Sequence, residues 1–545
     1  MDLVSVDEVL LFVLCAVAVI VAIRWIAGRS GLPAAALLTV VGIVYALLPG
    51  PNVKLDPDLI LTLVIPPLLY SAALDSSLLD IRRNLRTVIS LSVLLVLATA
   101  LLVGWGFSLF VPGATLAAGV ALGAAVAPPD PVAALAVGRK AGLPGRMVTL
   151  IQGEGLLNDA TALTILSVAA DAATGARFSG PSAVGKFLLM AIGGVVAGVV
   201  VAFAVRGLRR LRQDPLTANA VSLATPFAAY LLAESVHVSG VLAVVVAGLI
   251  VGHDSPRYTA AASRLQTRAV WRLVDFLLEG MVFLLIGQQL PAVVDGLSAY
   301  RPQTIVLALA MSVGVVLLLR PLWLVLTQSL PRSLHTRLGG EDDEESGRRP
   351  LERALNGREV IVLSWAGTRG VISLAAIFTL SAKVPLLDLL LFCTFAVVLV
   401  TLIGQGLTFG PLVRALGLRA NQADLARERN EARSAAVRAA LGRLDEIEEE
   451  QHDHVEDQAI AHMRRQLEFR LERYRRRLDL LEKTDSDEVP TSPQYEAALM
   501  VRRQVIEAQR QELLRWRDTG NLNDEGLRIL ERELDHEERL LPDRA

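Results

Sequence analysis

Cysteine is nearly absent. The 545-residue chain holds two, Cys15 and Cys393, each inside an apolar run. That excludes a disulfide framework and a thiolate metal cluster, and it reads both as small buried hydrophobes. Charge is also scarce, at 20% of residues against 53% apolar. The net charge of −2 averages two unlike regions and marks no surface for nucleic acid. No His-Glu-x-x-His metal motif occurs. His237 and Ser239 are close in sequence but lack a glycine-framed nucleophile turn. An enzyme reading therefore has no catalytic group to rest on, and no cofactor or resident metal is implied. Ligand-rich filter repeats of the kind channels use are missing too.

What is present is apolar length. A hydrocarbon core of about 30 Å takes roughly 20 apolar helical residues. Thirteen candidate runs follow one another, at 8–28, 32–49, 57–74, 87–111, 115–137, 146–170, 183–206, 217–236, 238–253, 271–292, 303–328, 358–382 and 385–416. The eighth and ninth nearly touch across Glu234–Gly240, so a merged count of twelve competes. The opening residues, Met-Asp-Leu-Val-Ser-Val-Asp-Glu, are acidic, which argues for a retained first span and against a cleaved signal peptide. The expected fold is an all-α polytopic membrane protein of about 13 transmembrane helices. Two regions are expected, a membrane domain at 1–419 and a charged helical tail at 420–545.

Basic residues set the orientation. Arg24 and Arg29 follow the first run, Arg82, Arg83 and Arg86 the third, Arg139, Lys140 and Arg146 the fifth, and Arg206, Arg209, Arg210 and Arg212 the seventh. Arg257, Arg264, Arg268 and Arg272 follow the ninth, and Arg332, Arg337, Arg348, Arg349, Arg353 and Arg358 the eleventh. Every second loop is basic. That alternation fits thirteen spans, with the N-terminus outside and the tail in the cytoplasm, and a merged pair would break it. The stretch Gly339–Pro350 reads as a charged linker. In the tail, Leu441, Leu444 and Ile447 precede a break at Thr484–Pro493, and Leu513, Leu514, Ile529, Leu530 and Leu534 follow it at amphipathic-helix spacing. Such a tail is either a solvated or dimerising appendage or a regulatory element.

An ionisable group at bilayer depth costs at least about 2.5 kcal/mol on insertion scales, so it marks function or a compensating pair. The sixth run carries Glu154, Asn158 and Asp159 within Gln152-Gly-Glu-Gly-Leu-Leu-Asn-Asp-Ala-Thr161. Glu154 and Asn158 share a helix face, and Asp159 lies around the corner. A carboxylate beside an amide oxygen suits a hard monovalent cation, and the same carboxylate takes a proton when the cation leaves. The fifth run contains Ala127-Pro128-Pro129-Asp130-Pro131, a break that lipid does not tolerate unless protein or a cavity surrounds it. Asp130 there serves either as a cap on a half-helix N-terminus or as a cation contact. The twelfth run contains Gly367-Thr368-Arg369-Gly370, a second break at a matching place in the other half, as inverted repeats would give. Arg369 either neutralises half-helix C-termini or pairs with an acid. Arg320 in the eleventh run needs a buried acid, Glu154 being the candidate, unless it snorkels to the surface. Glu279, and Glu234 with His237, are lesser polar intrusions.

The same residues carry a family resemblance. Glu154-Gly-Leu-Leu-Asn158-Asp159-Ala-Thr, Asp130-Pro131-Val, Arg320, Gly367-Thr-Arg369-Gly370 and Pro66-Pro67-Leu-Leu-Tyr70 resemble the cation/proton antiporters of the NhaP and eukaryotic sodium/proton exchanger type. The resemblance covers roughly residues 1–416. It implies thirteen helices, a homodimer in the plasma membrane, and a core domain moving against a dimerisation domain. It implies that Asp159 carries the ion and the proton, that Asn158, where electrogenic relatives have Asp, means one-for-one electroneutral exchange, and that Glu154–Arg320 is a structural pair. Pro129 stands where the family often has Thr, and Gly155 where it often has Ser. Both departures remove hydroxyls, so antiport is better specified than the choice among Na⁺, Li⁺ and K⁺. Na⁺/H⁺ antiport is the leading expectation. K⁺/H⁺ antiport, a cation channel and an exchanger of organic anions or other solutes are the alternatives.

Overall fold

The structure, a computed structural model, describes residues 6–30, 32–48, 59–174, 180–209, 214–259, 261–329, 355–381, 383–418, 422–450, 454–482, 493–519 and 521–539. Among these residues every regular element is a helix. In lipid each backbone N–H and C=O must find its partner inside the segment, and a helix does this without neighbours.

The first unit covers Met1–Arg419. Its helices are α1 (Val6–Ser30), α2 (Ala34–Ala46), α3 (Ile60–Leu74), the short α4 (Leu78–Arg83) and α5 (Leu85–Phe110). Then come α6 (Leu116–Val126), α7 (Pro131–Lys140), α8 (Gly145–Ala173), α9 (Gly180–Arg209), α10 (Pro215–Ser235), α11 (Gly240–Tyr258) and α12 (Ala261–Asp295). The unit ends with α13 (Pro302–Ser329), α14 (Gly357–Trp365), α15 (Val371–Phe378) and α16 (Leu387–Ala415). Eight helices of the described residues are long and apolar enough to cross a bilayer, and α2, α3 and α6 are shorter apolar helices.

Local chemistry places the ends. Thr115 accepts from the Ala118 N–H and Ser239 from the Leu242 N–H, starting α6 and α11. Asn356 and Glu359 form a reciprocal cap at the start of α14. The Ser239 cap follows a turn in which His237 has φ 58°, so α10 and α11 are separate helices.

Small residues let helices approach where lipid offers no hydrophobic drive. On α2 and α12, Gly42 and Gly287 face each other, and a Cβ on Gly42 would lie 3.0 Å from the Gly287 Cα. One apolar core gathers Ala121, Leu122 and Val126 of α6, Leu374 and Ile377 of α15, and Phe395 and Cys393 of α16. A second gathers Tyr70 and Ala73 of α3, Ala229 and Ala233 of α10, and Ala243 to Val245 of α11. Helix α8 is common to both: Leu166 and Ala169 enter the first, Leu156 and Ala160 the second. Asp159 therefore lies on a helix that joins the two cores. Cys393 is buried, but Cys15 is exposed beside exposed Leu11 and Leu14, so the expectation of two buried cysteines holds for one only. Cys15 belongs to an apolar outer face of α1, where a small hydrophobe needs no core.

The second unit covers Ala420–Ala545. Helix α17 (Gln422–Glu450) packs on α18 (His454–Glu482), and Arg464 clips them by bonds of 2.6 Å to both Asp445 and Glu448. Helix α19 (Pro493–Asp518) packs on α20 (Asp524–Arg539), with Arg510 at 2.9 Å from Asp535 and Glu538. The tail sequence reads as helix, helix, break and one further helix, but two helices follow the break, because the turn around Asn521–Asn523 interrupts it: the Asn521 and Leu522 N–H groups donate to the Trp516 carbonyl, and Asn523 caps α20 at the Gly526 N–H. Leu534 is buried and Ile529 is 52% exposed, so the apolar spacing does not make every position core. The linker at Gly339–Pro350, most of the break at Thr484–Pro493, and Arg210, Arg212, Arg332, Arg337, Arg348, Arg349 and Arg353 lie outside the described residues.

Candidate ion-binding site

Two interrupted helices meet in the first unit. The first is α6 and α7, separated by Ala127–Asp130. Pro128 and Pro129 offer no N–H to continue α6, and Pro131 opens α7 in the position a helix start tolerates. The second is α14 and α15, separated by residues Ala366–Gly370. The breaks bind each other. The Asp130 N–H donates to the Thr368 carbonyl at 2.6 Å, and the Thr368 hydroxyl donates to the Asp130 carbonyl at 2.9 Å. Backbone groups that lost their helical partners thus find one another, which is what permits non-helical chain at this depth.

Charge is placed at both polarities of this meeting point. The Asp130 carboxylate accepts from the Val132 N–H at 2.9 Å and so caps α7. It also lies against Gly370, the residue that opens α15, so closely that a Cβ there would overlap it. One carboxylate thereby faces two half-helix N-termini. Arg369, 3% exposed, serves the opposite ends. Its Nε donates to the Val126 carbonyl at 2.9 Å and its Nη2 to the Ala127 carbonyl at 3.2 Å, both at the C-terminal end of α6. Its Nη1 donates to the Gly367 carbonyl past the end of α14. Of the two roles the sequence left open for Arg369, carbonyl neutralisation is the one the geometry displays. Its own backbone N–H donates to the Thr401 hydroxyl at 3.0 Å.

Helix α8 brings the third set. Glu154 is 1% exposed and Arg320 of α13 is 2% exposed, so Arg320 does not snorkel. The guanidinium grips the carboxylate with both ends, Nη1 on Oε1 and Nη2 on Oε2, the latter at 2.8 Å. Its remaining Nε donates to the Leu363 carbonyl of α14 at 2.9 Å. The pair thus ties α8 to α13 and to one broken helix. One turn on, Asn158 is fully buried and its Nδ2 donates to the Pro129 carbonyl at 2.9 Å, tying α8 to the other. Its Oδ1 is buried with no hydrogen-bond donor. Asp159, 5% exposed, makes no hydrogen bond or ion pair among the described residues, and its charged neighbour is Asp130.

Both departures from the family pattern, Pro129 and Gly155, lie where α8 meets the first break. A side chain on Gly155 would run into the Pro131 ring, so α8 passes close to the proline-rich break only because Gly stands there. Pro129 contributes its carbonyl, not a side-chain oxygen. Sequence reasoning assigned no role to Thr368 or Thr401. The first was visible inside the Gly-Thr-Arg-Gly break, but the second gave no local signal. Thr401 opens a stretch, Thr401–Gln405, in which α16 widens to i→i+5 bonding, as do α3 at Ile60–Val64 and α5 at Ser90–Leu94. Such widened turns recur at functional places in helices. Glu279 on α12 has Asp130, Asp275 and Arg24 as charged neighbours. Asp275 is held by the Ser71 hydroxyl at 2.7 Å.

The arrangement is a fixed frame around a free acid. Arg369, Asp130, Glu154, Arg320 and the Asn158 amide N are committed to partners, while the Asp159 carboxylate and the Asn158 oxygen are not. Such a pair offers oxygen ligands to a hard cation and a base to a proton.

The family described as "Sodium/hydrogen exchanger, transmembrane" matches residues 15–415. The chain is 34% identical to an uncharacterised Na⁺/H⁺ exchanger of Mycobacterium tuberculosis, over 93% of this chain and 92% of that protein. It is 30% identical to the Na⁺/H⁺ antiporter ApNhaP of Aphanothece halophytica, over 76% of this chain and 74% of that one. The fold is similar to that of the sodium proton antiporter MjNhaP1 of Methanocaldococcus jannaschii at pH 8, with a TM-score of 0.57, 18% identity, and coverage of 74% of this chain and 97% of that one. The chain is an integral membrane protein and belongs to the sodium/hydrogen exchanger family of antiporters.

Proposed function

We propose that this antiporter exchanges one monovalent cation, Na⁺ before Li⁺ and K⁺, for one proton by competition at Asp159. The observation that carries the reading is the unpaired Asp159 carboxylate beside the donor-free Asn158 oxygen, where two broken helices meet. Asp159 holds a cation or a proton and not both. Only the neutralised site crosses a low dielectric cheaply, because moving a bare carboxylate through it is penalised. Asp130 and the Pro129 carbonyl border the site, while Glu154, Arg320 and Arg369 hold the frame. With Asn158 uncharged, the exchanged unit carries no net charge and the cycle is electroneutral. One pH unit is worth about 1.36 kcal/mol per proton, enough to drive a tenfold cation gradient in one-for-one exchange.

The reading extends to thirteen spans, an outward N-terminus, a cytoplasmic tail, residence in the plasma membrane and a homodimer. The alternation of basic loops supports the orientation. The test is pH-gradient dequenching in proteoliposomes with Na⁺, Li⁺ or K⁺, with and without an imposed voltage. Asp159→Asn is expected to fold and to abolish exchange. Near-normal exchange by that variant defeats the assignment, and flux without counter-coupling would make the protein a channel.

A further inference from the structure

A second charged cluster lies away from the ion site, where α9 and α11 end together. Arg206 and Arg209 sit one turn apart in the last turn of α9, and Asp254 and Tyr258 face them from α11. These residues line a cleft with Ala202, Val205, Ile250 and Val251. Arg206 lies 3.3 Å from Asp254, donates to the Tyr258 hydroxyl at 2.6 Å, and stacks 4.7 Å over the Tyr258 ring. Arg209 donates to the Thr259 hydroxyl at 3.3 Å and has no carboxylate within ion-pair distance among the described residues. The Nε–H groups of both arginines are buried without an acceptor. Two cations face one anion, so the cleft keeps one positive charge.

We propose that this cleft seats the phosphate of an anionic glycerophospholipid. Three features specify that occupant. Arg forks match a phosphate's oxygens in geometry, and basic pockets between spans near a membrane surface recognise acidic headgroups. An aromatic with a polar tip, here Tyr258, is the residue type of the headgroup level. The outer face of α9 below the cleft is exposed and apolar through Phe203, Val200, Val196 and Ile192, a track on which acyl chains lie and which a free phosphate ion would not need. Arg206 spends its charge on Asp254, while Arg209, bonded to the Thr259 hydroxyl, keeps its charge unpaired among the described residues.

The test uses the purified full-length protein, titrated with phosphatidylglycerol, phosphatidylcholine or inorganic phosphate. Bound lipid is counted by native mass spectrometry and thermal stability is followed in parallel. The wild type is expected to retain and be stabilised by phosphatidylglycerol over phosphatidylcholine, and Arg209→Gln to bind it about fivefold more weakly, the worth of one basic group at a membrane surface. Equal binding of the two lipids by the wild type overturns the proposal, whatever the variant does. So does protection by inorganic phosphate equal to that of phosphatidylglycerol, which would make the cleft a free-anion site, or unchanged phosphatidylglycerol binding by Arg209→Gln.

Discussion

Glu154→Gln and Arg320→Gln remove the two halves of one buried pair, and their costs are expected to differ. With Gln at 154, the Arg320 guanidinium keeps its bond to the Leu363 carbonyl but loses the carboxylate charge and one of its two acceptor oxygens, an NH2 facing it instead, in a place 2% exposed. Breaking a buried pair by removing one partner costs about 3–5 kcal/mol, since the other charge stays uncompensated. Arg320→Gln strands the Glu154 charge in the same way and also leaves the Leu363 carbonyl without its donor, a further cost of about 1–3 kcal/mol for a buried acceptor. Arg320→Gln should therefore be the more damaging single change. Combining both changes removes both charges, and the double variant should be more stable than the sum of the singles by at least about 2 kcal/mol. The assay is unfolding of the purified protein by SDS in mixed micelles, followed by tryptophan fluorescence, for all four corners of the cycle. A coupling energy near zero, or an Arg320→Gln variant milder than Glu154→Gln, would refute the bidentate pair and its link to α14. Exchange measured in parallel separates structure from chemistry. A positioning pair leaves the apparent cation affinity of the surviving folded protein unchanged.

Three other substitutions test the frame. Gly370→Ala places a Cβ against the Asp130 carboxylate and should cost about 1–3 kcal/mol as overpacking, with exchange reduced in proteoliposomes; a neutral effect would mean that Asp130 does not lie against the start of α15. Arg369→Gln withdraws donors from the Val126, Ala127 and Gly367 carbonyls and should lower the yield of folded protein on size-exclusion chromatography more than Arg320→Gln does, because two half-helix ends lose their cation together. Asn158→Asp deletes the donor to the Pro129 carbonyl and adds a charge, so surviving exchange should respond to an imposed voltage that leaves the wild type unaffected. A voltage response equal to that of the wild type counts against the electroneutral reading.

The membrane architecture was readable because lipid permits so little. Apolar length and the alternation of basic loops separate α10 from α11 even though few residues intervene, and the structure divides them at the His237 turn. The individual site residues were readable for the converse reason: Glu154, Asp159, Arg320 and Arg369 are costly where they stand, and cost is visible in one dimension. Pairing was less readable. Asp130 and Thr368 are 238 residues apart, and nothing local says that one break repairs the other. Thr401 looks like any helical threonine, and its role arises only because Arg369 turns its backbone N–H toward it. The distinction between a cap and a ligand for Asp130 also lay beyond the sequence, since it depends on how near α15 begins to that carboxylate.

The division between committed and free groups is what makes the Asp159 reading a physical one. Five ionisable side chains near one another inside a membrane would ordinarily neutralise by pairing. Here Glu154 is consumed by Arg320, and Arg369 is consumed by backbone carbonyls, so neither cation is left to bridge Asp159. Asp130 in turn accepts from the Val132 amide at the start of α7 and lies against the start of α15, which lets it stay beside Asp159 without needing a counter-ion of its own. The frame spends its cations elsewhere and leaves one acid whose neutralisation has to come from solution. A buried carboxylate with a dedicated guanidinium would be stable and inert. In the mechanism proposed above, one without a partner recruits Na⁺ or H⁺, and the competition between them is the exchange.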